Sequence, residues 1–431
     1  MATRSMLAAV SGIDANQTFL DEIANNIANA DTIGYKAGTV QFSALLSEQV
    51  AGATAPTTGS GGVNPVAVGS GVRVSSVITN SAEGTLQTTG NPTDVAITGN
   101  GFLVVQYGGQ QMFTRDGALT VDASGQLTTL SGGLVQGWQA TGTGLINNNA
   151  PVGSINIPTG ETIGAKTTTR VTLEGNLPAW NGTGTPPAPA TVTLDTYNPL
   201  GAVVHIVVTF TATKTKADTW KVTAKVAGAK ATAPSLIPAT KSTITFDPTT
   251  GALLKTGLTA MATGELAIKM KAPTTAGFTK TTNITLVFPA PGSVNAVTQF
   301  AGARTITGSQ NGYPSGSLES YSISSSGVIT GKFSNGKTMA LGQIALASFA
   351  NNSGLVNVGN GLLATSANSG QPQIGAPGTG VRGSLLGGQL EQSNVNLGTE
   401  LTDLISAQEA YVANTKAIAT SQQVIVALEQ V

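Results

Sequence analysis

The 431-residue sequence predicts a mainly β fold with a terminal α-helical coiled coil, in which nested β domains, inner and outer, are inserted between the N- and C-terminal helices. Three observations predict it. Apolar residues recur at helical spacing over long stretches only near the two ends. The interior is rich in Gly, Thr, Ser and Val and is cut into short runs by turn residues. Only 10% of residues are charged, against about 25% in an ordinary soluble domain, so hydroxyls and not charges solvate the surface. With 40% hydrophobic residues the chain is not disordered in composition.

At the front, Met6, Val10, Ile13, Gln17, Leu20, Ala24 and Ile27 alternate by three and four, the period of a coiled-coil seam. Asn29, Asp31 and Gly34 end this helix, since glycine tolerates the left-handed turn a C-terminus often needs. At the back, Leu397, Leu401, Leu404, Gln408, Tyr411, Thr415, Ile418, Gln422 and Ile425 repeat the pattern. A stripe of small residues, Ala407, Ala410, Ala417 and Ser421, runs beside it and permits close helix approach. Polar seam residues lower stability and raise register specificity. The expected inner core is therefore 1–36 paired with 391–431. A chain with long helices only at its ends brings those ends together, a layout suited to a polymer subunit.

Residues 37–80 read as a connector, with an amphipathic piece around Phe42, Leu45 and Leu46, a Gly/Thr/Pro stretch, and a strand-like VRVSSVI at 72–78. Residues 81–145 and 297–390 read as hairpins of an inner β domain. Residues 146–296 are richer in Thr and Lys and read as an outer β domain. There, TVTLDTY (191–197) and AVVHIVVTF (202–210) flank the turn Asn198-Pro199-Leu200-Gly201, with Pro and Gly at favoured turn positions. STITF before Asp247-Pro248-Thr249-Thr250-Gly251 is a second hairpin signal.

Composition excludes several functions. The net charge is zero and no basic stripe carries interleaved aromatics, so nucleic-acid binding has no support. No apolar run reaches the roughly 18 residues a membrane helix needs, and the first residues do not read as a secretory signal. Cysteine is absent, which excludes disulfides. Gly331-Lys332-Phe333-Ser334-Asn335-Gly336-Lys337-Thr338 matches the phosphate-loop pattern. Asn335-Gly336 is, however, a strong hairpin signal, and the flanks are strand-like. The single histidine, His205, alternates with Val203 and Val207 on a strand and has no acidic neighbour in sequence. Asp116, Asp122 and Asp247 stand at turns. Gly99-Asn100-Gly101 precedes a strand, where a dinucleotide site needs a helix. Trp138, Trp180 and Trp220 read as core or interface anchors. No catalytic, metal or cofactor residues are expected.

Two segments carry a resemblance. ANNIANADTIGYK at 24–36 resembles the N-terminal signature of bacterial flagellar rod and hook proteins, through Asn25, Asn26, Asn29, Thr32, Gly34, Tyr35 and Lys36. SNVNLGTELTDLISAQEAYVANTKAI at 393–418 resembles their C-terminal signature, through Ser393, Asn394, Val395, Leu401, Leu404, Gln408, Tyr411, Asn414 and Lys416. GNGFLVV (99–105) and FTRDGALTVDASGQL (113–127) look like the inner β domain of that family. The outer block matches only by position and style.

The resemblance implies a homopolymer: a helical tube whose inner wall is the paired termini around a central export channel. The large outer insertion points to the subunit of the hook, the flexible universal joint between rod and filament. A distal rod subunit is the alternative, followed by a secreted β-rich adhesin. The candidate polymerisation seam is Met6, Val10, Ile13, Leu20, Ile27, Leu397, Leu401, Leu404, Tyr411, Ile418 and Ile425. The family further implies the distal rod, hook cap, hook–filament junction proteins and flagellar export apparatus as partners. It also implies an extracellular place in the flagellum, reached without a cleaved signal peptide. An enzyme reading would need a cleft with paired carboxylates.

Overall fold

The computed structural model describes residues 2–160, 162–214, 216–228, 236–237, 243–254, 259–260, 266–271 and 283–429. Helices α1 (Ala2–Ala28) and α2 (Leu397–Glu429) stand at the two ends with strands between them. The chain divides into two compact units. The first holds Met1–Thr159, Ser320–Lys332 and Thr338–Val431; the second holds Gly160–Glu319 and Phe333–Lys337.

These borders lie later than 146 and 296, for reasons of pairing. Gly153–Ser154 pairs with Gln136 and Gly137, and Ile155 and Ile157 are buried in the first unit. Val297–Phe300 pairs in parallel with Arg170–Pro178, and Thr307–Gln310 pairs with the same strand antiparallel. Both strands therefore belong to the second unit.

In the first unit, α2 starts where Asn396 caps it, its Oδ1 accepting from the amides of Gly398 and Thr399. α1 ends at Ala28, and the turn that follows closes on Gly34, whose φ is +69°. A Cβ at Gly34 would lie 2.7 Å from the Arg115 carbonyl oxygen, so both backbone angle and space demand glycine. Residues 37–80 form a long β arm. Gly38–Ala44 pairs with Val72–Thr79, Glu48–Ala51 with Val66–Val68, and bridges at Thr54–Val63 and Thr57–Ser60 carry the pairing to the tip. The arm lies on α1: Phe19 and Phe42 meet edge-to-face at 5.8 Å, and the Val72 amide donates to Ser11 Oγ.

The β body of the first unit is centred on Phe102–Tyr107, flanked by Gln110–Thr114, Leu134–Gln139 and Leu346–Ser348. Leu103, Val104, Val105, Phe113, Leu127 and Leu346 are buried. Phe349 packs edge-to-face on Phe113 at 4.8 Å, and Trp138 donates to the Ala150 carbonyl. The phosphate-loop match is a hairpin. Val328–Phe333 pairs with Thr338–Ile344 around Gly336, which has φ +72°.

The second unit packs two sheets on one apolar cluster. One sheet runs Ala190–Tyr197, Val203–Ala212, Thr219–Val226, Thr243–Phe246, Leu253–Leu254, each antiparallel to the next. Ser242, the first residue of the expected STITF strand, lies outside the described residues. The other sheet is built on Arg170–Pro178 and Asn283–Phe288. Period-two alternation sends Leu194, Ile206, Val208, Phe210 and Trp220 inward to meet Val171 and Leu173. The expected turn forms: the Gly201 amide donates to the Asn198 carbonyl, and Asn198 Oδ1 accepts from Leu200 and Ala202. Asp247 Oδ1 likewise accepts from the amides of Thr249 and Thr250, which hold its carboxyl below the usual range.

Trp220 is fully buried, and its Nε1 donates to Gln299 Oε1 at 2.9 Å. Trp220→Ala is expected to cost the second unit about 3–5 kcal/mol through the cavity left behind. Urea denaturation followed by far-UV circular dichroism measures it, and an unshifted midpoint would contradict this account of the core.

Candidate functional site

Two features of the first unit stand out: the seam between α1 and α2, and the junction where both helices root in the β body. The helices run antiparallel with a register fixed by contacts at heptad intervals. Ser5 Oγ and Ser421 Oγ are 3.0 Å apart. One heptad further along α1, a Cβ added to Gly12 would sit 2.8 Å from Asn414 Nδ2. Two heptads beyond that, Asn26 Nδ2 donates to both carboxylate oxygens of Glu400 at 3.3 Å. The buried residues of α1 are Ala9, Gly12, Ala15, Ile23 and Asn26; those of α2 are Ala407 and Ser421. Small side chains let the backbones approach, so the contact line is mostly small and polar.

The candidate seam residues flank this line. Met6, Ile13, Leu20 and Ile27 are half-buried and Val10 is exposed on α1. On α2, Leu404, Tyr411, Ile418 and Ile425 are half-buried, whereas Leu397 and Leu401 are exposed. On α1 the buried line thus runs one residue ahead of the large apolar stripe. Reading by side-chain size missed it. The signal present in sequence was the spacing of Ala9, Gly12, Asn16 and Ile23. Outward on α2, Leu401, Ile405, Val412 and Val426 recur at helical spacing, with Ile405 58% exposed.

The junction is built by the N-terminal signature. Buried Asn26 accepts from the Gly38 amide and the Tyr35 hydroxyl through Oδ1 and donates to the Gly38 carbonyl through Nδ2. Asn25 donates to the Tyr35 oxygen, Asn29 to the Asn25 carbonyl, and Thr32 to Asn29 Oδ1. Burial pushes the Tyr35 hydroxyl up to about 12, and the Glu22 and Glu400 carboxylates add to the shift. Burial also raises the Glu400 carboxyl, against the opposing Asn26 hydrogen bond. From the C-terminal side, Asn394 accepts from the Ala37 amide and donates to the carbonyls of Asn80 and Ala82. Gln408 is exposed and Asn414 half-buried against Gly12.

Beside this network lies a buried ion cluster. The Glu391 side chain is 1% exposed and accepts from Lys36 Nζ at 2.5 Å, Arg115 Nη1 at 3.1 Å and the Gly84 amide at 2.9 Å. Arg115 also donates to the carbonyls of Gly99 and Gly101. Burial pulls the Lys36 ammonium below its usual range, against the Glu391 hydrogen bond. A cavity of about 310 Å³ opens next to the cluster, with Tyr35, Lys36, Asn100, Arg115 and Leu355 in its wall.

His205 Nδ1 lies 2.7 Å from Asp195 Oδ1, a cross-strand partner invisible in the linear sequence, but both side chains are more than half exposed on a sheet face. Among the described residues no group of three or more His, Asp or Glu converges as a metal site, and no helix is long and apolar enough to cross a membrane.

Comparison with known proteins covers nearly the whole chain. Residues 6–36 match the flagella basal body rod protein profile. Residues 96–177 match the flagellar hook protein FlgE/F/G D1 domain. Residues 184–313 match the flagellar basal body protein FlaE D2 domain, and 386–431 the flagellar basal body rod FlgEFG protein C-terminal profile. The chain is 36% identical to the flagellar hook protein FlgE of Treponema pallidum over 98% of each chain. It is 34% identical to that of Escherichia coli K12 over 97% of each. A crystal structure of Helicobacter pylori FlgE2 shares the fold, with a TM-score of 0.51 at 14% identity, covering 69% of this chain and 98% of that one.

Two measurements test the site. The chain has no native cysteine, so Ser5→Cys with Ser421→Cys is expected to form an intramolecular disulfide under mild oxidation. Leu7→Cys with Ser421→Cys is expected to lag well behind; equal rates would refute the register. In a spectrophotometric titration, one of the six tyrosines should ionise near pH 12, and Tyr35→Phe should remove that step. Because the folded value is raised above 10.0, Tyr35 contributes stability in full below about pH 10 and loses it as pH rises toward about 12. Tyr35→Phe should flatten that part of the stability curve.

Proposed function

The chain belongs to the bacterial flagellar hook protein family, and on that premise we propose how its residues build a hook. Members of the family are structural, and this one is a hook subunit that polymerises with itself in the flagellum. Rod profiles match its two ends, but the near-full-length relatives are hook proteins and the outer D2 domain is present, which disfavours the distal rod alternative.

The carrying observation is the mismatch between α1–α2 contact and apolar content. The pair closes on Ala9, Gly12, Ala407 and Ser421, while Leu7, Val10, Leu401, Ile405, Val412 and Val426 remain exposed. Isolated helices draw most of their stability from packing an apolar face, so neighbouring copies of the pair supply the missing cover. The tube's inner wall is then the α1–α2 pairs, around an export channel. The arm at 38–79, with Leu46, Val50, Val63 and Val66 exposed, is a second surface that neighbours cover. A two-stranded ribbon alone is only marginally stable. The hydroxyl-rich outer domains make and break contacts as the joint bends. Finer partners are the distal rod below, the cap and junction proteins above, and the flagellar export apparatus. The chain acts as a structural element and not as an enzyme.

Ile405→Asp separates assembly from folding. The site is exposed in the single chain, so monomer stability should stay within about 0.5 kcal/mol, while electron microscopy should show no tubes. Ile418→Asp, half-buried beside α1, should also loosen the helix pair. Normal tubes from Ile405→Asp would overturn the assignment of the outward stripe.

A further inference from the structure

We propose that Glu391 is the coupling residue of the inner unit: one buried carboxylate that ties the roots of both helices to the β body, so that load carried by the helices enters the β body through it. This deepens the hook reading and rests on it.

The three partners come from three parts of the chain. Glu391 ends the strand Gln389–Glu391, which pairs with Leu86–Thr88, and the chain from it leads directly into α2. Lys36 ends the loop that leaves α1, and that loop is fastened to α1 through Tyr35, Asn26 and Asn25. Arg115 follows the β-body strand Gln110–Thr114 and is anchored there by the carbonyls of Gly99 and Gly101. One carboxylate at the root of α2 therefore holds a cation from the root of α1 and a cation from the β body.

Packing does not explain the cluster. A buried ion trio is costly to desolvate and is rarely the most stable filling of a core. Its strength is directional: charge-assisted hydrogen bonds are shorter and stronger than neutral ones. On one side the cavity of about 310 Å³ leaves the junction without van der Waals contact. There the angle between helices and β body is held by directional bonds: those to Glu391, the bond from the Gly34 amide to the Glu391 carbonyl, that from Lys36 Nζ to the Ala82 carbonyl, and those of Asn394 with Ala37, Asn80 and Ala82. Of these only the Glu391 carboxylate joins a cation from each side, so loss of the helix-side cation loosens that angle without unfolding either part.

The partners predict unequal outcomes. Lys36→Met leaves Arg115 on Glu391 and leaves the β body intact. Arg115→Met leaves Lys36 and the Gly84 amide on Glu391 but takes the donor from the Gly99 and Gly101 carbonyls inside the β body, and so destabilises it locally. Glu391→Gln keeps the shape and removes the charge.

The test uses spin labels on the full chain at the exposed positions Gln110→Cys and Gln408→Cys, one on the β body and one on α2. Their distance distribution is measured by pulsed electron spin resonance. Lys36→Met and Glu391→Gln should each widen it by about twofold or more, the expected result of losing a directional buried bond. Lys36→Arg should restore the narrow distribution, and Glu48→Gln, at the exposed Arg4–Glu48 pair, should leave it unchanged. In assembled tubes, Lys36→Met should lower the bending stiffness read from curvature fluctuations in electron micrographs. An unchanged distance distribution, or a widened one with tubes of normal stiffness, overturns the proposal. Failure of the unaltered chain to form tubes at all would count against the hook reading instead, because the spin-label measurement needs no assembly.

Discussion

The close approach of α1 and α2 constrains the rest of the molecule. Their contact line carries Ala9, Gly12, Ala407 and Ser421, with Asn414 laid over Gly12. Small residues bring the backbones together but bury little apolar area, at about 25 cal/mol per Å². Among the larger residues Ile23 is buried, but Met6, Ile13, Leu20 and Ile27 are covered only in part. Leu401, Ile405 and Val412 face outward, and this is the surface proposed to meet other copies.

A second consequence concerns attachment. The helices are rooted in the β body by hydrogen bonds from both ends of the chain: Asn26 on Gly38 and Tyr35, Asn394 on Ala37, and Glu391 on Lys36 and Arg115. Directional bonds fix an angle where a cavity leaves packing silent. The second unit is built on the opposite principle, with Phe210, Trp220, Ile206 and Leu173 in one apolar cluster and no fully buried charged side chain among the described residues. It has an apolar core of its own, as expected for a domain inserted into the loop of another.

Much of this was legible in the sequence, because periodicity reports burial. The two helices, the hairpin at Asn198–Gly201 and the strand face bearing His205 followed from spacing and turn chemistry. The phosphate-loop pattern at 331–338 was rightly read as a hairpin from Asn335-Gly336. What could not be read was pairing at a distance. The arm at 38–79 reads as a connector because Glu48–Ala51 and Val66–Val68 are exposed throughout, and the face that Val40 and Phe42 turn toward α1 is set by a distant helix. Asp195 meets His205 only across a hairpin, and Glu391, Arg115 and Lys36 are joined over hundreds of residues. The seam on α1 was displaced by one residue because large apolar side chains mark the faces a helix must bury, not the line along which it touches its first neighbour.

On the proposed function, the outward face of the helix pair is incomplete in a single chain and is covered by other copies in the tube. Hydrogen exchange measured on the free chain and on assembled tubes tests it directly. Backbone amides of residues 397–426 should exchange readily in the free chain and gain strong protection in the tube. Amides of the β-body core, such as Leu103, Val104 and Phe113, should be protected equally in both. Full protection of residues 397–426 before assembly, or none gained on assembly, would contradict the account.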